Sequence, residues 1–280
     1  LKSGNAVILR GSSYCLDSNI AILEVLQNSL SLNNCNKNIF QIIESKDRQD
    51  TIEFMNLTEF VDLIVPRGGK GLIQTLVDNS KVPFILDGDG NVHLYIHQDA
   101  KKEHIIDIVI NSKVQRPGVC NALETLLINS QIYQDMGSLI IEKLLENEVE
   151  LFVDETIKED FPNLNLANES HYETEFLDLK LAVKVVDSVD QAIEHIKVYS
   201  SGHTEAILTE SNEVADTFAK SIDSSVIFIN SSTRFTDGEM FGFGSEIGIS
   251  TQKLHVRGPM GLEALTNERY VVTGEGTVSG

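Results

Sequence analysis

The sequence predicts an α/β protein made of parallel sheets that are covered by helices on both faces. Apolar segments of strand length alternate with amphipathic segments of helix length along most of the chain. The strand segments are apolar at nearly every position, which is typical of strands that helices cover on both sides. At 280 residues the chain is long enough for two domains with separate cores.

The first part of the chain alternates strand and helix from its beginning. Strands are predicted at 5–10, 39–43, 60–66 and 82–86, and helices at 17–30, 47–55 and 68–80. The pattern opens directly on a strand, and the first residue is Leu1 rather than Met. We therefore expect that the first strands of this sheet lie in an N-terminal portion that this chain lacks.

From residue 112 onward the alternation resumes with new units. Strands are predicted at 124–129, 181–186, 205–209 and 224–230, and helices at 131–146, 189–199 and 212–222. Residues 230–261 are irregular and rich in Gly, Ser, Thr and aromatic residues, and long segments of this kind usually carry function. Residues 269–274 read as an edge strand that could pair with another subunit.

Charge and cysteine content narrow the class of partner and the compartment. The net charge of −20 argues against nucleic acid and anionic membranes as partners, because both bind cationic surfaces. No apolar run approaches the roughly 18 residues of a membrane span, and no charged-then-apolar leader opens the chain. The three cysteines form no CxxC pair, which indicates a reducing cytoplasm and argues against disulfides and structural zinc.

Metal motifs are incomplete in this sequence. The stretch DGDGN, which begins at Asp87, opens like a calcium loop, but Val92 stands where Gly is needed and Gln98 where a bidentate Glu is needed. His93 and His97 share one face of a predicted strand, yet two imidazoles without a third ligand are more often structural. We therefore predict no metal site.

Cys120 has a setting that the other two cysteines lack. Lys113 and Arg116 precede it, and Pro117-Gly118 favours a turn that can present the thiol in a loop. Nearby cations lower the pKa of a thiol and raise its nucleophilic fraction at neutral pH. From these features alone, a catalytic thiol and a structural one remain equally open.

Four long stretches carry a resemblance to a known family. They closely resemble the gamma-glutamyl phosphate reductases (glutamate-5-semialdehyde dehydrogenases) of the aldehyde dehydrogenase superfamily. The four stretches are LKSGNAVILRG, KVQRPGVCNALETLL, NSSTRFTDG and FGFGSEIGISTQKLHVRGPMGLEALT. The resemblance covers essentially the whole chain. It implies an aldehyde dehydrogenase-like fold of two three-layer α/β domains, the first of them partial, with a C-terminal oligomerisation strand.

The same resemblance implies a division of roles along the chain. Residues 1–111 would be the C-terminal part of the NADP-binding domain, 112–256 the catalytic domain, and 257–280 the C-terminal return and oligomerisation segment. Cys120 would attack the acyl phosphate of L-glutamyl 5-phosphate to form a thioester, which NADPH reduces to L-glutamate 5-semialdehyde in proline biosynthesis. The backbone N–H of Cys120 would stabilise the oxyanion. In hydrolysing relatives a glutamate before the cysteine is the base that activates water. Here Asp87 stands at the nearest position and no glutamate does, which favours reduction because an activated water would hydrolyse the thioester.

Cofactor contacts can be carried over at two places and expected at a third. Arg10, which ends the first strand, and the following Ser12 suit the 2′-phosphate of NADPH. Glu175 resembles the glutamate that holds the nicotinamide ribose, with an ordinary exposed acid as the alternative. Gly68 and Gly69 follow a strand and open a helix, so backbone amides could approach the cofactor phosphates there.

Substrate contacts are expected where cations concentrate, because both ligands are polyanions and the chain is acidic. Arg116 and Arg234 are predicted to bind the substrate phosphate or carboxylate, since guanidinium groups bind such anions bidentately. Ser232 and Thr233 could donate hydrogen bonds beside them, and Asn121 adjoins the nucleophile. Surface arginines paired with acids are the alternative.

Two other functions stay open at this stage. Without an N-terminal segment the chain could be a catalytically silent nucleotide-binding or assembly module, or it could be a reductase of another acyl group such as an acyl-CoA. The resemblance also implies a homo-oligomer and a possible coupling to glutamate 5-kinase.

Overall fold

The computed structural model describes residues 1–279, with every side chain except that of Lys70. The chain divides into two compact units. The first comprises Leu1–Ile64, Gly68–Phe84 and the segment from Gly261 onward, and the second comprises Val65–Arg67 and Ile85–Met260. These boundaries rest on compactness, whereas the predicted division into 1–111, 112–256 and 257–280 concerns roles and stays a prediction.

The first unit contains a two-stranded parallel sheet and three helices. Its elements are β1 (Val7–Leu9), α1 (Leu16–Leu32), β2 (Phe40–Ile42), α2 (Arg48–Phe54) and α3 (Lys70–Asn79). Val7 lies opposite Phe40 in the ladder. Helix α2 begins where the Asp47 carboxylate accepts a hydrogen bond from the Gln49 N–H at 2.9 Å, a normal N-cap contact.

Two strands predicted in this part of the chain are wrong. Residues 60–66 and 82–86 form no regular strand, and a single parallel bridge joins Ile64 to Phe84. The cause is local, because Pro83 has no N–H to donate to a ladder and Pro66 ends the other segment. The Ile64 N–H still bonds the Pro83 carbonyl at 2.9 Å.

The second unit is built on a seven-stranded parallel sheet in the order β6-β5-β7-β4-β3-β8-β9. Its strands are β3 (Val92–Ile96), β4 (Leu123–Asn129), β5 (Glu150–Val153), β6 (Asn165–Leu166), β7 (Lys180–Val186), β8 (Thr204–Leu208) and β9 (Val226–Ile229). Its helices are α4 (Lys102–Val114), α5 (Ser130–Glu146), α6 (Glu155–Asp160), α7 (Glu169–Tyr172), α8 (Val189–Tyr199) and α9 (Asn212–Ser221). A short antiparallel pair, β10 (Ile249–Ser250) and β11 (Gly258–Pro259), lies in the irregular segment.

This sheet is the middle of three layers, as its alternating side chains show. Leu94 and Ile96 of β3 pack into the core that contains Val109 of α4. Tyr95, between them, packs into the opposite core with Phe218 of α9. All five residues of β3 are buried, so both faces of the strand are covered. Burying each large apolar side chain of this kind contributes roughly 1.5–3 kcal/mol.

The C-terminal segment does not form the predicted edge strand within this chain. Residues 269–274 carry no regular secondary structure, and Tyr270, Val271 and Val272 are largely exposed. A strand needs a neighbour to satisfy its backbone, and none of the residues described here pairs with this segment. Pairing with a second subunit stays a prediction.

Among the residues that the structure describes, none of the helices combines the length and apolar character needed to cross a bilayer.

Candidate active site

Cys120 lies in the loop of residues 115–122, the cysteine loop, which joins the end of α4 to the start of β4 at the amino edge of the parallel sheet. The residue is partly buried. Ligands of open α/β sheets usually bind at the carboxyl edge, so this location is unusual. The predicted loop presentation of the cysteine beside a strand is confirmed.

The backbone of Cys120 packs directly against Gly90. A Cβ built at Gly90 would lie 1.7 Å from the Cys120 carbonyl oxygen and 2.4 Å from its carbonyl carbon, so only glycine fits. The Gly90 N–H donates to the Glu175 carboxylate at 2.7 Å. Three separate segments therefore meet at this point, and two of them carry predicted site residues.

Burial raises the pKa of the Cys120 thiol to about 11. The carboxylates of Glu175 and Glu246 contribute to this rise, and the Arg67 guanidinium opposes it. The thiol of the protein alone is therefore protonated at neutral pH, with a thiolate fraction of about one in ten thousand.

The prediction that nearby cations lower the pKa of Cys120 is wrong, because its pKa is raised, and one of the two predicted cations is engaged elsewhere. Lys113 is fully buried, and its ammonium group donates to the Glu124 carboxylate at 2.8 Å. Its side chain points into the protein interior rather than towards the cysteine loop. Two cations that do act on the thiol are Arg67 and Arg234, and both are distant from Cys120 in sequence.

Arg116 and Arg234 lie near each other and near the cysteine. Burial and the Arg116 charge lower the pKa of the Arg234 guanidinium, while the Cys120 thiolate and Asp237 favour its charged form. The Arg234 Nε donates to Gln115 Oε1 at 2.7 Å. Arg116 is exposed, and its side chain has no hydrogen bond or ion pair among the described residues. Two clustered guanidinium groups form a favourable environment for an anion.

Ser232, Thr233 and Asn121 connect the cysteine loop to the segment that carries Arg234. The Ser232 hydroxyl accepts from the Arg234 N–H at 3.2 Å, and the Thr233 hydroxyl donates to the Asn121 carbonyl at 2.7 Å. The Asn121 amide donates to the Thr236 carbonyl at 2.7 Å, and its buried Oδ1 has no partner among the described residues. These contacts position the site, and a direct role of the three side chains with substrate stays a prediction.

Asp87 has both carboxylate oxygens occupied. Oδ1 accepts from the Ile249 N–H at 2.8 Å, and Oδ2 forms an ion pair with Arg67. Only 20% of the Asp87 side chain is exposed. A carboxylate held in this way is poorly placed to activate a water molecule.

The remaining predicted cofactor residues lie in the first unit. Arg10 follows β1 and is exposed. The Ser12 hydroxyl accepts from the Tyr14 N–H at 3.3 Å and so caps a short 3₁₀ turn. Gly69 is the N-cap of α3, and a Cβ built there would meet open space, whereas one at Gly68 would press on the side chain of residue 72. Their role with a cofactor stays a prediction.

Three contributors to the site were missed in the sequence. Arg67 directly precedes the two glycines of PRGGKG, and Glu246 lies in the irregular segment, where its carboxylate accepts from the Gly238 N–H at 2.8 Å. Gly90 is the last glycine of DGDG, before a buried strand, which was a usable signal for a close backbone approach.

The two histidines of the predicted strand have ordinary partners. His93 is fully buried and its Nδ1 lies 3.0 Å from the Glu205 carboxylate, and the His97 Nδ1 lies 2.7 Å from Asp99. Within residues 1–279, no group of three or more His, Cys, Asp and Glu side chains is arranged to hold a metal ion.

Relatives of known name resemble the chain over almost its whole length. A gamma-glutamyl phosphate reductase from Thermoanaerobacter pseudethanolicus is 49% identical over 278 residues, which are 99% of this chain and 67% of that protein. The crystal structure of gamma-glutamyl phosphate reductase from Thermotoga maritima matches with a TM-score of 0.96 at 44% identity, and the match covers 99% of this chain and 67% of that one. No protein-family model matches the chain.

A more distant solved structure bears on the fold alone. An acetylating aldehyde dehydrogenase from Geobacillus thermoglucosidasius matches with a TM-score of 0.73 at 17% identity, covering 99% of this chain and 70% of that one. Together with the Thermotoga structure, this match confirms the predicted aldehyde dehydrogenase-like α/β fold.

Proposed function

The chain belongs to the gamma-glutamyl phosphate reductase family, which consists of oxidoreductases acting on aldehyde groups, and on this premise we propose that it reduces L-glutamyl 5-phosphate to L-glutamate 5-semialdehyde with release of phosphate. We assign NADPH as the reductant and proline biosynthesis as the pathway. The observation that carries the proposal is the surroundings of Cys120, a loop thiol with two guanidinium groups and the Glu175 carboxylate close by.

The first chemical step uses the thiolate of Cys120. Its sulfur attacks the acyl carbon, the bond from that carbon to the phosphate oxygen breaks, and phosphate leaves with the electron pair. The product on the protein is a thioester. The oxyanion that forms during attack would accept a hydrogen bond from the backbone N–H of Cys120. Because Gly90 fixes the position of the Cys120 backbone, it also fixes this donor.

The second step discharges the thioester. NADPH, when bound, supplies the hydride that reduces the acyl carbon. The resulting thiohemiacetal collapses, the sulfur leaves as thiolate, and the aldehyde is released. Survival of the thioester until reduction requires that no base activates water beside it. The double engagement of Asp87 by Arg67 and Ile249 supports this condition.

The residues of the first unit suit a dinucleotide phosphate. Arg10 and Ser12 would bind the 2′-phosphate, because a guanidinium group and a hydroxyl both donate to phosphate oxygens. The open amino end of α3 at Gly68 and Gly69 would receive the diphosphate, since helix amino ends carry unpaired N–H groups. Glu175 would accept hydrogen bonds from the nicotinamide ribose.

Arg116 and Arg234 would bind the anionic ends of the substrate. Burial and the repulsion from Arg116 lower the pKa of Arg234, and that repulsion is relieved when a dianionic phosphate lies between the two groups. Asn121, Ser232 and Thr233 support this arrangement by tying the cysteine loop to the Arg234 segment.

Three further assignments follow from family membership and stay predictions. They are a homo-oligomeric assembly, a cytoplasmic location, and coupling to glutamate 5-kinase.

The experiment that tests the function replaces Cys120 with Ala. Phosphate release from glutamyl phosphate and NADPH oxidation are both expected to disappear, whereas the matched variant Cys35→Ala, at an exposed cysteine, keeps both. With cofactor withheld, mass spectrometry of the quenched wild-type protein is expected to find a glutamyl adduct on Cys120. Appreciable turnover in Cys120→Ala would overturn the proposal.

A further inference from the structure

Glu124, the second residue of β4, joins three segments of the second unit. It is fully buried, and its Oε2 accepts from the Lys113 ammonium group at 2.8 Å. Its Oε1 accepts from the Leu177 N–H at 3.2 Å. Lys113 lies at the end of α4, directly before the loop that carries Cys120, and Glu124 lies directly after that loop. One carboxylate therefore ties both ends of the cysteine loop to the segment that carries Glu175.

Stability alone is a weak reason for this ion pair. Taking both charges out of water is costly, and apolar residues of similar volume often serve a core as well or better. Burial raises the pKa of Glu124 to about 7 and lowers that of Lys113, because it disfavours the charged form of each group. The ion pair therefore forms despite a cost of desolvation. An apolar pair could not replace this one, because only a hydrogen-bond acceptor such as the Glu124 carboxylate can bind the Leu177 N–H.

Leu177 needs such an acceptor. Its φ is +53°, in the left-handed region that non-glycine residues rarely adopt. The residue is 46% exposed, so side-chain packing contributes little to this conformation. Two residues earlier in sequence, the Glu175 carboxylate accepts from Gly90, which in turn supports the Cys120 backbone. The Glu175–Leu177 segment is thus anchored to the cysteine loop on two sides.

We propose that Glu124 is a positioning residue of the reaction, which holds the Glu175–Leu177 segment in register with Cys120 through its contact with the Leu177 N–H. Lys113 neutralises the buried charge of the Glu124 carboxylate, and the contact itself needs only the oxygen that accepts from Leu177. This inference rests on the proposed function, in which Cys120 carries the acyl group and Glu175 holds the nicotinamide ribose. Loss of the contact would slow discharge of the thioester by NADPH more than its formation.

Two double variants isolate the contact. Lys113→Met/Glu124→Gln and Lys113→Met/Glu124→Met both remove the two charges together, so neither leaves a buried charge unpaired. Only the glutamine variant still offers an oxygen to the Leu177 N–H. Both are expected to form the acyl adduct on Cys120 when cofactor is withheld. The rate of NADPH-dependent discharge is expected to fall by about tenfold or more in the methionine variant and to stay within about threefold of wild type in the glutamine variant.

Equal discharge rates in the two double variants, whether both fast or both slow, would overturn the proposal. Failure of the proposed function looks different, because the wild-type protein would then carry no adduct on Cys120 at all. Urea midpoints of both double variants establish that folded proteins are compared.

A second pair of variants decides the matter even if a double variant does not fold. Leu177→Val introduces a β-branched side chain that resists the left-handed conformation, whereas Leu177→Gly accepts it freely. Both changes lie at an exposed position that leaves the core intact. Discharge is expected to slow by about threefold or more in Leu177→Val and to keep the wild-type rate in Leu177→Gly. The same rate in both would refute the positioning role.

Discussion

The Cα of Gly90 lies so close to the carbonyl group of Cys120 that no side chain can stand between them. A backbone contact of this kind transmits any displacement of residue 90 directly to the proposed nucleophile and oxyanion donor.

Gly90→Ala is therefore expected to damage catalysis severely. The added methyl would overlap the Cys120 carbonyl, so either the cysteine loop or the start of β3 must move. A displacement of about 1 Å at reacting groups can lower turnover by about a hundredfold, and we expect a loss of that order in kcat. Steady-state kinetics together with thermal unfolding measure the effect.

Gly118→Ala is the matched control for that change. Gly118 lies in the same loop, but a Cβ built there meets only the Leu177 carbonyl oxygen at 3.5 Å, which is an ordinary contact. It should keep activity within about threefold of wild type, and equal loss in both variants would contradict the specific role of Gly90.

The reactivity of the Cys120 thiol is expected to rise with pH well beyond neutrality. Because the pKa is about 11, the thiolate fraction increases about tenfold per pH unit between pH 7 and 10, and alkylation by iodoacetamide should follow it. A Cys15→Ala/Cys35→Ala background leaves Cys120 as the only thiol.

Glu175→Gln should accelerate this alkylation at a fixed pH, since it removes a negative charge that raises the pKa of the thiol. The glutamine can still accept from the Gly90 N–H, so the loop is preserved. A rate that already levels off below pH 8 would show that the thiol is activated by cations after all.

Removal of the Arg234 guanidinium should weaken substrate binding more than chemistry. Arg234→Ala is expected to raise the KM for glutamyl phosphate by about ten- to a hundredfold, the range for losing charged hydrogen bonds to an anion. The affinity for NADPH should not change. Lys220→Ala, which removes the same charge from the exposed face of α9, is the control. A KM that is unchanged in Arg234→Ala would exclude this residue from the substrate site.

Stability is expected to fall as the pH drops below about 6.5, because two histidines are buried in their neutral form. Burial lowers the pKa of His195 to about 2 and that of His203 to about 4. The unfolded chain takes up these protons below pH 6.5 and the folded chain does not. Each histidine therefore removes about 1.4 kcal/mol of unfolding free energy per pH unit, for His203 only down to about pH 4.

Urea denaturation at pH 7, 6 and 5 measures this loss. Glu124, whose pKa is raised to about 7 in the folded protein, takes up a proton in that range and opposes the loss by about 1.4 kcal/mol per pH unit, whereas exposed carboxylates stay ionised; the two histidines together outweigh it. A free energy of unfolding that stays constant from pH 7 to pH 5 would contradict the buried neutral state of both rings.

The central sheet was predictable from the sequence because its signal is local. The strand predicted at 124–129 is Leu123–Asn129, and the helices predicted at 131–146 and 189–199 are Ser130–Glu146 and Val189–Tyr199. Strands buried on both faces are long apolar runs, and side-chain caps such as Asn129 mark where helices begin. Where prolines interrupt the ladder, as at 60–66 and 82–86, an apolar run was misleading.

The electrostatics of the site could not be predicted in the same way. Lys113 is close to Cys120 in sequence, but its helix directs it into the core, where it meets Glu124. Arg67 and Glu246 are remote in sequence and act on the thiol. Charge effects depend on distance in space and on burial, and neither follows from spacing along a chain.

The thiol belongs to the amino edge of the seven-stranded sheet, so the turns at the opposite edge take no part in the proposed chemistry. The turns that follow β7 and β8 lie at that opposite edge, where Asp187 and Glu210 are exposed. Fluorophores or affinity tags attached there should leave turnover intact, so the protein could be labelled at this edge and followed during turnover.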